Sequence, residues 1–133
     1  MVWKIDLDED SQVVVVGFDG VVTGAELQEA AVARIAFGKE VGVDTFIIDA
    51  AKMIAPKSTI MDVLDLPKEV YDEQEMSRSS LIAVVRPLNP ASVWIAEFYE
   101  NASILRGWRV RTFDDQAAAL FWLQNYGERS EYS

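Results

Sequence analysis

Polar and apolar positions change period along the chain, and each change marks an element. From Val2 to Leu7 they alternate, with Trp3, Ile5 and Leu7 on one face and Val2, Lys4 and Asp6 on the other. That pattern predicts a half-buried strand at a sheet edge. The polar run Asp8-Glu9-Asp10-Ser11 predicts a turn, and Gln12 to Phe18 carries four consecutive valines. Such a run fits a strand covered on both faces. Thr23 with Glu26 three residues later makes a capping box that opens a helix to about Glu40. Leu27, Ala31, Ile35 and Gly38 follow helical spacing toward the sheet, and Gly42 marks the exit. Asp44 to Asp49 reads as a second buried strand.

Residues 50–80 hold no single period. Pro56 breaks any element there, and Pro67 bends or starts one. Ser58 or Thr59 with Asp62 would cap a short helix through Leu66, and a second helical piece would run from Pro67 to about Glu73. Met76 to Ser80 is a polar connector, and Leu81 to Val85 a third buried strand. Asn89-Pro90 supplies an N-cap followed by proline at the first helical position. Trp94, Phe98, Ala102 and Leu105 then form an apolar stripe, and Gly107 ends the helix. Arg109 to Phe113 alternates as a more exposed last strand. Asp114 is the expected cap of a final helix whose Ala119, Trp122, Leu123 and Tyr126 share one face, with 128–133 as a fraying tail.

The order β-β-α-β-α-β-α-β-α predicts an α/β fold. Its core is a single-layer, mixed, mostly parallel five-stranded sheet with four or five helices and right-handed crossovers. The first strand should run antiparallel to the second, because four residues make a hairpin and cannot make a crossover. The 133 residues suit one domain spanning the whole chain.

Composition narrows the chemistry. There is no cysteine and no histidine, which removes disulfides, thiolate sites and the commonest general base. The net charge of −10 opposes binding to nucleic acid. The charge is uneven: residues 1–77 carry net −10, 78–113 net +3 and 114–133 net −3. No segment reads as a signal peptide or membrane span, so a cytoplasmic protein is expected.

Four segments together resemble the STAS-like family, the fold of anti-sigma-factor antagonists, in its stand-alone bacterial form. They are VVVVGFDGVVTGAEL, DTFIIDA, LIAVVRP and RGWRVRTFDDQAAALFWL, the last resembling a recurrent strand ending on Phe-Asp before a helix with Ala and Trp-Leu. The resemblance implies a non-enzymatic domain that docks onto partner proteins. Some members bind nucleotides or are switched by phosphorylation, and related folds carry lipids in an apolar pocket. In the switched members a serine follows the third strand after an aspartate. Here the region from Asp49 to Thr59 lacks the Asp-Ser-Ser-Gly type of pattern, and Ser58 and Thr59 are the nearest phosphoacceptor candidates.

Three constellations remain. Asp19, Asp49 and Asp114 each follow a strand, and three carboxylates along one sheet edge can hold Mg²⁺. Arg86, between a strand end and Pro87, either captures an anion or pairs with Asp49 or Asp114. The aromatics Trp94, Phe98, Tyr99 and Trp108 pack as core, line an apolar pocket or form a dimer surface. Trp94 and Phe98 share a helix face, and Tyr99 lies about 100° further round. Met53 and Met61 belong to an apolar cluster in the irregular stretch, which is core or a lid.

The expected function is a non-catalytic STAS-like regulatory or protein-interaction domain, with no cofactor, whose partner is another protein or a second copy. The alternative is a small apolar-ligand or lipid-binding domain with a pocket between helix 90–107 and segment 50–66. A Mg²⁺-dependent enzyme at the acidic strand ends is the third reading. An interaction domain should have a filled core, and a ligand carrier a closed apolar cavity above about 300 Å³.

Overall fold

Five strands lie side by side in chain order in a computed structural model that describes residues 2–132, with side chains through Tyr126. They are β1 (Trp3–Asp8), β2 (Val13–Val21), β3 (Thr45–Ile54), β4 (Leu81–Val85) and β5 (Arg109–Phe113). β1 pairs antiparallel with β2, and every later pair is parallel. The α/β fold and strand arrangement expected from the periodicity are therefore present. The helices are α1 (Gly24–Val41), α2 (Ile60–Asp65), α3 (Tyr71–Glu73), α4 (Trp94–Ile104) and α5 (Gln116–Tyr132).

Strand parity divides the interior in two. Val14, Val16, Phe46, Ile48, Ile82 and Val84 face α1, α4 and the 57–73 region in the larger cluster. Val13, Ile47, Leu81, Ala83 and Val85 face the other way and meet Ala119 and Leu123 of α5. Trp122 and Tyr126 pack against that smaller cluster, so the apolar face read for the last helix is the one used.

The capping box at Thr23 forms as expected. The Thr23 hydroxyl accepts from the Glu26 backbone N–H, and Glu26 accepts from the Thr23 N–H. These bonds hold the Glu26 carboxyl below its usual pKa. Gly42 closes α1 in the left-handed region, at φ +72°.

Several expectations need correction. The second strand does not end at Phe18: Asp19-Gly20, a local turn signal, lies within β2, which continues to pair with β3 as far as Val21 opposite Ile54. A register shift between Gly17 and Asp19, with Gly20 at φ +99°, absorbs the irregularity. Ala50–Ile54 is strand for the same reason. Residues 57–73 form one nearly continuous helical path: a 3₁₀ turn, α2, a π turn at Leu66–Val70 and α3. Pro67 lies in the π turn, where a residue without a backbone N–H interrupts the α ladder at least cost. Asp115, not Asp114, caps α5, accepting from the Ala118 N–H at 2.8 Å. The backbone expected to fray from Glu128 is helical to Tyr132, and Ser133 lies outside the described residues.

The end of α1 is seated on β3 through Gly38. A Cβ there would lie 2.7 Å from the Val43 carbonyl oxygen and 3.0 Å from the Phe46 ring. Alanine favours a helix by about 1 kcal/mol over glycine, but a clash with backbone in a packed core costs about 1–3 kcal/mol. Gly38→Ala is therefore expected to lower stability by up to about 2 kcal/mol, read as a lower denaturant midpoint. An unchanged or higher midpoint would show that the α1–β3 junction yields.

Candidate functional site

On α1 the residues at 27, 30, 31, 34, 35 and 38 share the sheet-facing side, and one of them is Arg34. It is 2% exposed, between alanines and Ile35, with Phe46 of β3 beneath it. Its guanidinium carbon is 5.0 Å from the centre of the Phe46 ring and 5.2 Å from that of Tyr71. Nη2 donates to the Tyr71 hydroxyl at 2.5 Å, and Nη1 to the Met76 sulfur at 3.8 Å. Tyr71, itself fully buried, shares a short hydrogen bond with the hydroxyl of Tyr99 from α4. Among the described residues the ion pairs are Arg78–Asp72 and Arg86–Asp114, so no carboxylate reaches Arg34. Unpaired burial of a charge costs several kcal/mol. A cation–π contact of about 0.5–2 kcal/mol on each ring and the phenol hydrogen bond offset part of that.

Beside this cluster lies an apolar cavity of about 50 Å³ between the sheet, α1, α2 and α4. Val16, Phe18, Leu27, Met53, Val63 and Ile95 line it, with Arg34 and Tyr99. Its place agrees with the pocket expected between helix 90–107 and segment 50–66. Its size does not, because it is far below the 300 Å³ that a drug-sized ligand needs.

The wall formed by α2 is docked through Asp62, whose carboxylate fills the space beside Gly24 where a Cβ would stand. That places an acidic group at the first turn of α1, where the helix dipole favours negative charge. Trp108 fixes the following π turn. Its indole N–H donates to the Pro67 carbonyl at 3.1 Å, and its ring meets Tyr71 edge-on at 5.3 Å.

The residues singled out from the sequence fall in four places. Tyr99 and Trp108 are buried, which removes them from any dimer surface. The buried face of α4 centres on Ile95, Tyr99 and Ala102, while Leu105 is exposed, so the expected Trp94–Leu105 stripe is rotated. Trp94 and Phe98 are half-buried, 6.3 Å apart, and the Trp94 indole N–H donates to the Ala55 carbonyl. Met53 is core and lines the cavity, whereas Met61 projects outward from α2. Thr59 is 3% exposed with its hydroxyl bonded to the Pro56 carbonyl, and Ser58 is exposed. Neither side chain caps α2.

The acidic strand ends do not converge. Among the described residues no group of three carboxylates is placed to hold a metal ion. Asp19 is exposed opposite Lys52, and Asp49 accepts from the Ala51 N–H and from Gln116. Asp114 pairs with Arg86 at 2.6 Å, the ion pair set out as one of the two readings of Arg86.

Arg34 and Tyr71 were not anticipated. Arg34 had a readable signal: it stands seven residues after Leu27 and four before Gly38, on the face already assigned to the sheet. A scan against protein-family models and a search of curated proteins both return no match to this chain. Among the described residues no helix is long and apolar enough to cross a membrane.

Burial first, and the adjacent Tyr71 second, hold the Tyr99 phenol well above its ordinary pKa, against the opposing pull of Arg34. Below about pH 10 the phenol is protonated in folded and unfolded chains alike, and its contribution to stability is complete. Above that pH only the unfolded chain ionises it, so stability falls as pH rises. Tyr99→Phe should remove that share of the alkaline loss while costing about 1 kcal/mol at neutral pH for the hydrogen bond. Denaturant midpoints of both proteins at pH 8 and pH 11 test this, and parallel losses would refute it.

Proposed function

We propose that this chain is a STAS-like regulatory domain that works by binding a partner protein and carries out no chemistry of its own. The observation that carries the reading is an apolar rim at one end of the molecule. Val21 and Ile54, paired in register on the extension of β2 and β3, are both exposed. Ile60 and Met61 are exposed on the outer side of α2, at the same end. Grouped exposed apolar side chains are uncommon on a surface that serves only solubility, and methionine suits an adaptable contact.

Three further points support it. The cavity at the place expected for an apolar ligand holds only about 50 Å³, which favours an interaction domain over a carrier of large apolar ligands. The charged groups at the strand ends engage each other or backbone rather than one open cleft. The chain also has no histidine or cysteine with which to build the commonest acid–base or nucleophilic centres. The four segments that resemble the STAS-like family supply β2 to β5, the start of α1 and the first half of α5. The partner is a protein presenting apolar side chains. Lys52 and Lys57, exposed beside the rim, favour acidic groups around them.

The test compares the wild-type chain with the double variant Ile54→Asp, Met61→Asp. Both positions are exposed, so the melting temperature should stay within about 2 °C. In its source cells the wild type should co-purify with one stoichiometric protein that the variant loses. Its mass in solution should remain the 14.9 kDa of a monomer. A doubled mass abolished by the variant would replace the partner with a second copy, and identical recovery from both chains would remove the rim from consideration.

A further inference from the structure

A second cavity, of about 340 Å³, opens at the end of the molecule away from the rim. It lies where α1 ends, where β3 and β4 begin, and where residues 75–77 pass from α3 toward β4. Ile35 and Gly38 of α1, Phe46 of β3 and Met76 form its buried wall. The volume is in the range of about 300–1,000 Å³ that takes small organic molecules.

One polar group belongs to that wall. Ser80 is 2% exposed and stands two residues before Ile82, on the face of the sheet turned toward α1. Its hydroxyl has no hydrogen-bond partner among the described residues, and unlike those of Ser103 and Thr112 it is not sealed from water. The cavity is what it opens on. A buried hydroxyl without a partner is a cost that a ligand atom can remove.

The mouth is charged. Lys39, Asp44 and Glu75 stand there, all exposed. The Lys39 ammonium is committed to the Gln74 carbonyl at 2.5 Å. Asp44 accepts one hydroxyl, from Ser79 at 2.8 Å, and has a second oxygen to offer. The C-terminal end of the eighteen-residue α1 reaches the same mouth at Gly38 and Gly42, and a helix C-terminus is a negative pole. Two carboxylates, that pole and the net −10 of residues 1–77 all favour a cation.

We infer that this cavity binds a small primary amine with a ring-sized apolar body and a hydroxyl at its far end. The ammonium meets Asp44 and Glu75 at the mouth, where charge-assisted hydrogen bonds are available. The body lies on Ile35, Phe46 and Met76, and the far hydroxyl pairs with Ser80. This site is at the opposite end from the apolar rim and does not depend on the protein partner proposed above.

The probe is tyramine at millimolar concentration. Its companions are phenethylamine, which lacks the hydroxyl, and para-hydroxyphenylpropionate, which has a carboxylate in place of the ammonium. Tyramine should raise the melting temperature by about 3 °C, phenethylamine by less than about half of that, and the propionate by less than about 0.5 °C. The double variant Asp44→Asn, Glu75→Gln, altered only at exposed positions, should lose most of the tyramine shift. Ser80→Ala should bring tyramine down to the level of phenethylamine. No shift with tyramine, an equal shift with either companion, a full shift in the double variant, or a tyramine preference retained in Ser80→Ala each overturns the site. Should Ser80→Ala not fold, the three probes on the wild type and the double variant decide without it.

Discussion

The architecture rests on a constraint of handedness. Strands β2 to β5 follow one another across the sheet without reversing direction. Parallel crossovers are almost always right-handed. Three such crossovers taken in the same direction must all pass over the same face. That face accordingly receives α1, the 57–73 path and α4, and its interior is the larger of the two clusters. The opposite face is left to α5, which is not a crossover and is free to fold back beneath. Buried on both sides, β4 is apolar at every position from Leu81 to Val85. β5, at the edge, keeps exposed arginines at 109 and 111.

Crowding three connections onto one face explains the irregularity of the middle one. The 57–73 segment fits between α1 and α4 and bends to do so. It changes helical pitch three times within seventeen residues. Its anchors are specific: Asp62 at Gly24, the Pro67 carbonyl on Trp108, and Tyr71 between Arg34 and Tyr99. The buried polar cluster thus sits where three connections meet, and its hydrogen bonds tie all three together. A cluster of apolar side chains at the same junction would fill space without fixing which residue of one connection faces which residue of the next.

Much of the fold was legible because it follows from local rules. The Val13–Val16 run and the Thr23 capping box each specify an element without reference to the rest of the chain, whereas the Asn89-Pro90 start opens a 3₁₀ turn at Pro90–Ser92 and the α-helix begins only at Trp94. Errors arose where a tertiary contact overrides a local signal. Asp19-Gly20 reads as a turn, yet the partner strand carries it onward. Asp114 and Asp115 are equivalent caps by sequence, and the ion pair with Arg86 decides between them. On α4 the Trp94–Phe98 pair is the most hydrophobic face, but Tyr99 is the buried aromatic because its hydroxyl has a partner in Tyr71. The central part of the candidate site was illegible for the same reason. An arginine in an apolar stripe reads as an exception until Phe46, Tyr71 and Tyr99, from three other segments, are seen around it.

The division of the interior has a practical side. The two clusters are separated by the whole β layer, and the cavity and the Arg34 network both belong to the side away from α5. The solvent face of α5, with Phe121 and Gln124, is therefore remote from both. A fluorophore or surface tether attached there would leave the working side unobstructed. The domain thus comes with a built-in handle for immobilisation, and events on one side can be watched without instruments intruding on it.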